Sequence, residues 1–243
     1  MLIRTASLGR LNAVCRSIIS NLLGTELLRK LVKTGSLKEV SQILKGTSYS
    51  KFIIGSSKSK LLKGINDYFY YLLNKLYKIY PLEELKEFFL VRDRGIVLEK
   101  VLKNKELKNF GLVYADFLNV ITVFKYRIIE GLSVEKVAPY LFTKGSLKNL
   151  LPQMLRASSL KELSRVLPFP KEPKSYGEFR KEIFLFHVSS LRKLLLGYPF
   201  KPVISFVILR LKEIEKMNLT AIIEGISGNF NREEIEEMIV DIS

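Results

Sequence analysis

Two places in this 243-residue chain set an acid and an amide three positions apart: Asp116-Phe-Leu-Asn119 and Glu215-Lys-Met-Asn218. On a helix that spacing puts both side chains on one face. A carboxylate only accepts hydrogen bonds and a carboxamide both accepts and donates, so the pair is suited to gripping backbone. Wound at 100° per residue, Ile204, Val207, Ile208, Leu211, Ile214, Leu219, Ala221 and Ile222 share one arc, and Glu215 and Asn218 fall in its middle. Arg210, Lys212, Glu213, Lys216, Thr220 and Glu224 take the opposite arc. An unpaired polar group in a core costs about 1–3 kcal/mol, so each inward pair is expected to bond to a neighbouring helix as a structural clamp.

Other chemistry-bearing residues are sparse. His187 is the only histidine and lies on a stretch, Ile183–Val188, with little else to titrate, which speaks against Ser-His-Asp triads and multi-histidine metal sites. Cys15 is the only cysteine, so no internal disulfide forms, in keeping with a reducing compartment. Gly55-Ser-Ser-Lys58-Ser59 echoes a phosphate loop but lacks the second glycine just before the lysine. The expectation is a protein with no catalytic residue, no cofactor and no metal.

Charge points to an anionic partner. The net charge is +16, yet from Glu213 onward eight acids face only Lys216 and Arg232, so the first 212 residues carry +22. No acid interrupts the stretch from Glu39 to Asp67, which holds Lys45, Lys51, Lys58, Lys60 and Lys63. It reads as a mobile basic connector, with Lys51, Lys58, Lys60 and Lys63 as candidate interface residues. The tyrosines and lysines of residues 65–80 leave a nucleic-acid surface open beside ordinary core and rim packing.

The elements that position these residues read as helices. Clean alternation is scarce, glycine and proline are few, and no apolar run reaches the ~18–20 residues of a membrane span. The N-terminus lacks the plan of a signal peptide. Helices are expected at about 8–20, 26–33, 37–44, 65–80, 82–90, 96–105, 112–129, 178–196, 204–224 and 232–241, with a loop at 168–176 and a tight link at 197–202. Residues 27–44 and 150–167 repeat at a constant offset of 123, each with Leu-Leu, Ser-Leu-Lys-Glu, a following Ser and a final Leu. Ser36 with Glu39, Ser159 with Glu162, and Asn231 with Glu234 have capping-box spacing. Repeats of this kind signal stacking helical hairpins, here as pseudo-repeat modules of about 8–110 and 111–243 in one helical domain.

Several of these stretches resemble one family. Glu215-x-x-Asn218-Leu219, the glycine-bounded turn after it and Arg232-Glu-Glu-Ile235 are similar to the C/d family of central-stalk proteins of archaeal-type and vacuolar-type rotary ATPases. Asn12-Ala13-x-x-Arg16, Leu37-Lys-Glu-Val40, Thr47-Ser-Tyr49, Asp116-x-x-Asn119 and residues 203–211 resemble further parts of it. The resemblance implies an all-α funnel- or cup-like bundle of hairpin modules. It also implies a non-catalytic adaptor, peripheral on the cytoplasmic membrane face, that links the soluble shaft to the proteolipid ring and passes torque for ATP-coupled ion transport. Asn12 and Arg16 join Asp116, Asn119, Glu215 and Asn218 as its expected structural residues. A basic helical nucleic-acid-binding module and a generic helical scaffold are the alternatives.

Overall fold

The computed structural model describes residues 2–91, 93–169, 172–196 and 200–242, with side chains from residue 5 onward. Every regular element among them is helical. In chain order these are α1 (Leu2–Ser20), α2 (Thr25–Val32), α3 (Leu37–Lys45), α4 (Lys58–Ile79), α5 (Glu83–Leu90), α6 (Arg94–Lys103) and α7 (Lys108–Val123). A π-helical turn, Phe124–Ile129, extends α7. Then come α8 (Val134–Val137), α9 (Leu151–Arg156), α10 (Leu160–Val166), α11 (Tyr176–Leu195), α12 (Val203–Ser227) and α13 (Arg232–Met238). Part of the expected loop, at Pro170 and Lys171, and the expected link through residues 197–199 lie outside the described residues.

The chain divides into two compact units. One contains residues 1–91 and 197–243, the other residues 92–196. Both ends of the chain enter the first unit.

In the first unit α12 is the centre. It packs against α1, α2, α3, α4 and α13, and every residue from Val203 to Lys212 is buried. Phe206 meets Phe88 and Phe89 of α5 at ring-centroid distances of 5.9 and 6.1 Å. A fully buried side chain of this size contributes about 1.5–3 kcal/mol. The expected polar arc therefore does not hold in this half of the helix: Arg210 and Lys212 are buried. Periodicity assumes one dry face, and a helix wrapped on several sides has more than one. Each cation finds a carboxylate one turn on, Arg210 with Glu213 at 2.5 Å and Lys212 with Glu215 at 2.7 Å.

Residues 45–57 are a packed turn rather than a loose connector. Tyr49 and Ile53 are buried, and the Ser41 hydroxyl donates to the Gly55 carbonyl at 3.4 Å. Helix α4 begins at Lys58, well before the expected start. Its Gly64 lies so close to the turn that a Cβ there would strike the Phe52 carbonyl and crowd Ile53.

In the second unit α7 is the centre and packs against α6, α9 and α11. The repeat at offset 123 forms a helical hairpin in each unit, α2–α3 in one and α9–α10 in the other. Equivalent positions point inward: Leu28 and Leu151, Leu31 and Met154, Val40 and Leu163, Ser41 and Ser164, Leu44 and Leu167 are all buried. Ser36 and Ser159 accept the N–H groups of Glu39 and Glu162, each at 3.3 Å. The glutamates reach one residue further back than a standard box, to Gly35 and Ser158. Ser175 and Glu178 form a third such cap, at the start of α11.

Two outcomes test this packing. Gly64→Ala is expected to cost about 1–3 kcal/mol, because the carbonyl it meets is fixed backbone; the urea midpoint should fall with an unchanged slope. Cys15 is fully buried in α1, and burial pushes its thiol from 9.0 up to about 12. A raised folded-state value gives stability that is complete below the unfolded value and lost as pH climbs from about 9 towards 12. Cys15→Ala should therefore flatten that part of the stability–pH curve, and native protein at neutral pH should resist thiol alkylation until denaturant is added.

Candidate functional site, two buried acid–amide pairs

Each unit holds one of the two acid-x-x-Asn pairs, and all four side chains are buried. Glu215 is entirely enclosed. One of its oxygens accepts the Leu23 backbone N–H at 2.7 Å. The other accepts the Tyr49 hydroxyl and the Lys212 ammonium, both at 2.7 Å. Lys212 also donates to the Asn21 carbonyl at 3.2 Å, and its ammonium lies over the rings of Tyr49 and Tyr68 at 5.3 and 5.2 Å. Loss of water lowers the lysine's pKa, with the Glu215 carboxylate opposing that shift. Burial first, and the adjacent carboxylate second, hold the Tyr49 phenol well above its ordinary value.

Asn218, one turn further along α12, pairs with a single residue of the C-terminal segment. Its Nδ2 donates to the Val240 carbonyl at 2.7 Å, and its Oδ1 accepts the Val240 N–H at 3.0 Å. The amide thus satisfies both backbone groups of one residue, as a neighbouring strand would.

The pair on α7 repeats this arrangement. Asp116 accepts the N–H groups of Ser146 at 2.9 Å and Leu147 at 3.0 Å, together with the Ser146 hydroxyl. Asn119 donates to the Phe142 carbonyl at 2.9 Å and accepts the Phe142 N–H at 2.8 Å. Leu23 and Ser146 are themselves separated by 123 residues, the offset of the repeat. Each acid therefore holds the entry to its own unit's copy of the hairpin, and each amide holds the extended residue beyond a short helix. Gly145 (φ +144°) permits the approach, since any Cβ there would collide with the Asp116 carboxylate.

The other expected site residues are placed differently. Arg16 is exposed, and the half-buried Asn12 has an amide oxygen without a hydrogen-bond partner among the described residues. The structure does not bring either into the two pairs. Lys51 and Lys60 are exposed, while Lys58 is paired with Glu224 and Lys63 with Asp67 at 2.6 Å. His187 is buried, stacked on Phe117 at 4.1 Å. Among the described residues no group of three or more His, Cys, Asp or Glu is arranged to hold a metal ion.

Two partners escape the sequence reading. Tyr49 enters it only within Thr47-Ser-Tyr49, and its signal is a place just after the α2–α3 hairpin. Arg127, on the π-turn, donates to the carbonyls of Leu155 at 2.9 Å, Ala157 at 3.4 Å and Leu132. A wider turn re-aims a side chain in a way that regular helical periodicity does not anticipate.

These geometries hold backbone in place, so their removal is read as stability. Asn218→Leu and Asn119→Leu should each cost about 1–3 kcal/mol by stranding two backbone groups. Lys212→Met should cost more, about 3–5 kcal/mol, because it strands the Glu215 charge without water. Urea unfolding checks all three. The raised Tyr49 value gives stability that is complete below about pH 10 and lost at higher pH, so Tyr49→Phe should weaken that alkaline loss.

A family model described as ATP synthase (C/AC39) subunit matches residues 69–238. That range includes both acid–amide pairs and the α9–α10 hairpin, and it begins within α4. No curated protein matches the chain.

Proposed function

The chain belongs to the ATP synthase C/AC39 family, a family of rotary ATPase components, and we propose that it serves as the non-catalytic central-stalk adaptor of such an enzyme. It links the soluble shaft to the membrane proteolipid ring on the cytoplasmic side and carries torque between ATP turnover and ion movement. The observation that supports this reading best is the duplicated pair. In each unit a buried acid and amide lock a long helix to a hairpin entry and to an extended segment.

A torque-bearing part needs elements whose register does not slip under load, and directed hydrogen bonds supply that where apolar packing is permissive. In this role Glu215, Asn218, Asp116 and Asn119 are structural clamps and perform no bond chemistry. No helix of the described residues is long and apolar enough to cross a membrane, so attachment falls to contacts with other subunits. The exposed cations Lys51 and Lys60 are suited to an acidic rim on those partners.

The deciding measurement compares reconstituted complexes with and without this chain. The soluble head should hydrolyse ATP in both, and ion pumping should vanish without the chain. Pumping that stays coupled in its absence would overturn the assignment. Lys51→Glu with Lys60→Glu should slow assembly and reduce its salt dependence while helicity is unchanged, because rim charges act mainly on association. Tight, salt-steep RNA binding at physiological ionic strength would support the nucleic-acid reading instead.

A further inference from the structure

The two units differ in how the short helix after the clamped one meets the hairpin. Ser133 and Asn231 are both N-caps of the short helix that follows a clamped one, and Phe142 and Val240 are both held by the clamp amide. Val134 and Arg232 are therefore equivalent. Lys33 and Arg156, at the repeat offset of 123, both close the first helix of the hairpin. In the first unit the exposed Arg232 guanidinium donates to the Lys33 carbonyl at 3.3 Å and so bridges α13 to the end of α2.

Among the described residues of the second unit nothing equivalent crosses. Val134 is too short to reach across, and Arg127, on the π-turn, donates to the carbonyls of Leu155 and Ala157. What remains is a groove of about 340 Å³ whose walls include Val134, Ala138, Leu141, Leu151 and Leu155, with the exposed Arg156 also lining it. We propose that this groove seats an apolar side chain carried on an acidic surface of another subunit of the rotary complex. The proposal rests on the stalk reading and adds a docking point to it.

Three observations select that occupant. The walls are apolar and the volume lies in the usual range for binding clefts, roughly 300–1,000 Å³. With Lys144 already paired to Glu99 at 3.3 Å, residues 134–156 still carry Lys136, Lys148 and Arg156 against the single carboxylate of Glu135, which favours acid on the incoming surface. Tyr140, 68% exposed, follows Ala138 on the same short helical turn. An exposed tyrosine and an arginine beside an apolar slot are the composition of a protein-binding hot spot.

The first unit supplies the test. Val134→Arg fills the groove with the residue its counterpart uses, and Ala138→Leu fills it by a smaller, uncharged route. Circular dichroism and melting show which variants retain the fold. Each folded variant is then titrated into rotary complex depleted of this chain. Affinity is expected to drop roughly 10-fold or more for Val134→Arg and less for Ala138→Leu. A benzophenone maleimide on the thiol introduced by Thr143→Cys, at the groove lining and with Cys15 buried, is expected to crosslink to another subunit.

A folded Val134→Arg protein that joins the complex with unchanged affinity overturns the proposal. So does a crosslink confined to lipid or to a second copy of this chain. Wild-type protein that fails to join the complex at all refutes the stalk reading, whereas wild-type entry with unimpaired variants refutes the groove alone.

Discussion

The Glu215 carboxylate is the point on which the first unit depends. It is fully enclosed, and a carboxylate removed from water loses several kcal/mol of hydration that must be offset by nearby donors. Here those donors come from three places in sequence: the Leu23 N–H before α2, the Tyr49 hydroxyl after α3 and the Lys212 ammonium on the same helix. One carboxylate thus fixes both ends of the α2–α3 hairpin against α12. The charge has a structural consequence as well as a cost. Other packings of the same apolar side chains would leave it unpaired, so it selects one register among many of similar hydrophobic energy.

Asp116 solves the same problem with less charge. Its donors are two backbone N–H groups and a serine hydroxyl, where Glu215 uses an ammonium. Several N–H bonds converging on one carboxylate satisfy it without a counter-ion. Both acids are buried, so each must find its donors inside its own unit. The two units therefore share a plan at the backbone level while differing in side-chain chemistry, as expected where geometry is the common requirement.

Much of this plan is legible in the sequence. The offset of 123 marks both hairpins, the acid-x-x-Asn spacing locates both inward pairs, and Asn231 with Glu234 is present as a full capping box. What stays hidden has physical causes. Periodicity places Lys212 on the wet arc because it sorts residues by one boundary with water, and α12 has almost none there. Arg127 escapes because the π-turn shifts its direction. Asn12 and Arg16 enter by resemblance alone, and neither joins a clamp. The loop before α4 looks mobile by charge, yet two buried side chains, Tyr49 and Ile53, outweigh lysines that need only reach solvent.

Within each unit, stiffness comes from where the amides attach. Asn218 and Asn119 each hold one residue of an extended segment by both of its backbone groups. A segment held that way cannot slide by one residue without exchanging the bonded pair for one whose side chain faces the opposite way. Apolar contacts alone resist such slippage weakly, since neighbouring Val, Ile and Leu side chains are close to interchangeable in a core. The amide therefore adds little net stability over its solvated state, about 1 kcal/mol per bond, and a large penalty for the wrong alignment. In the proposed adaptor role that asymmetry is what serves, because the working quantity there is resistance to displacement rather than depth of the folded minimum.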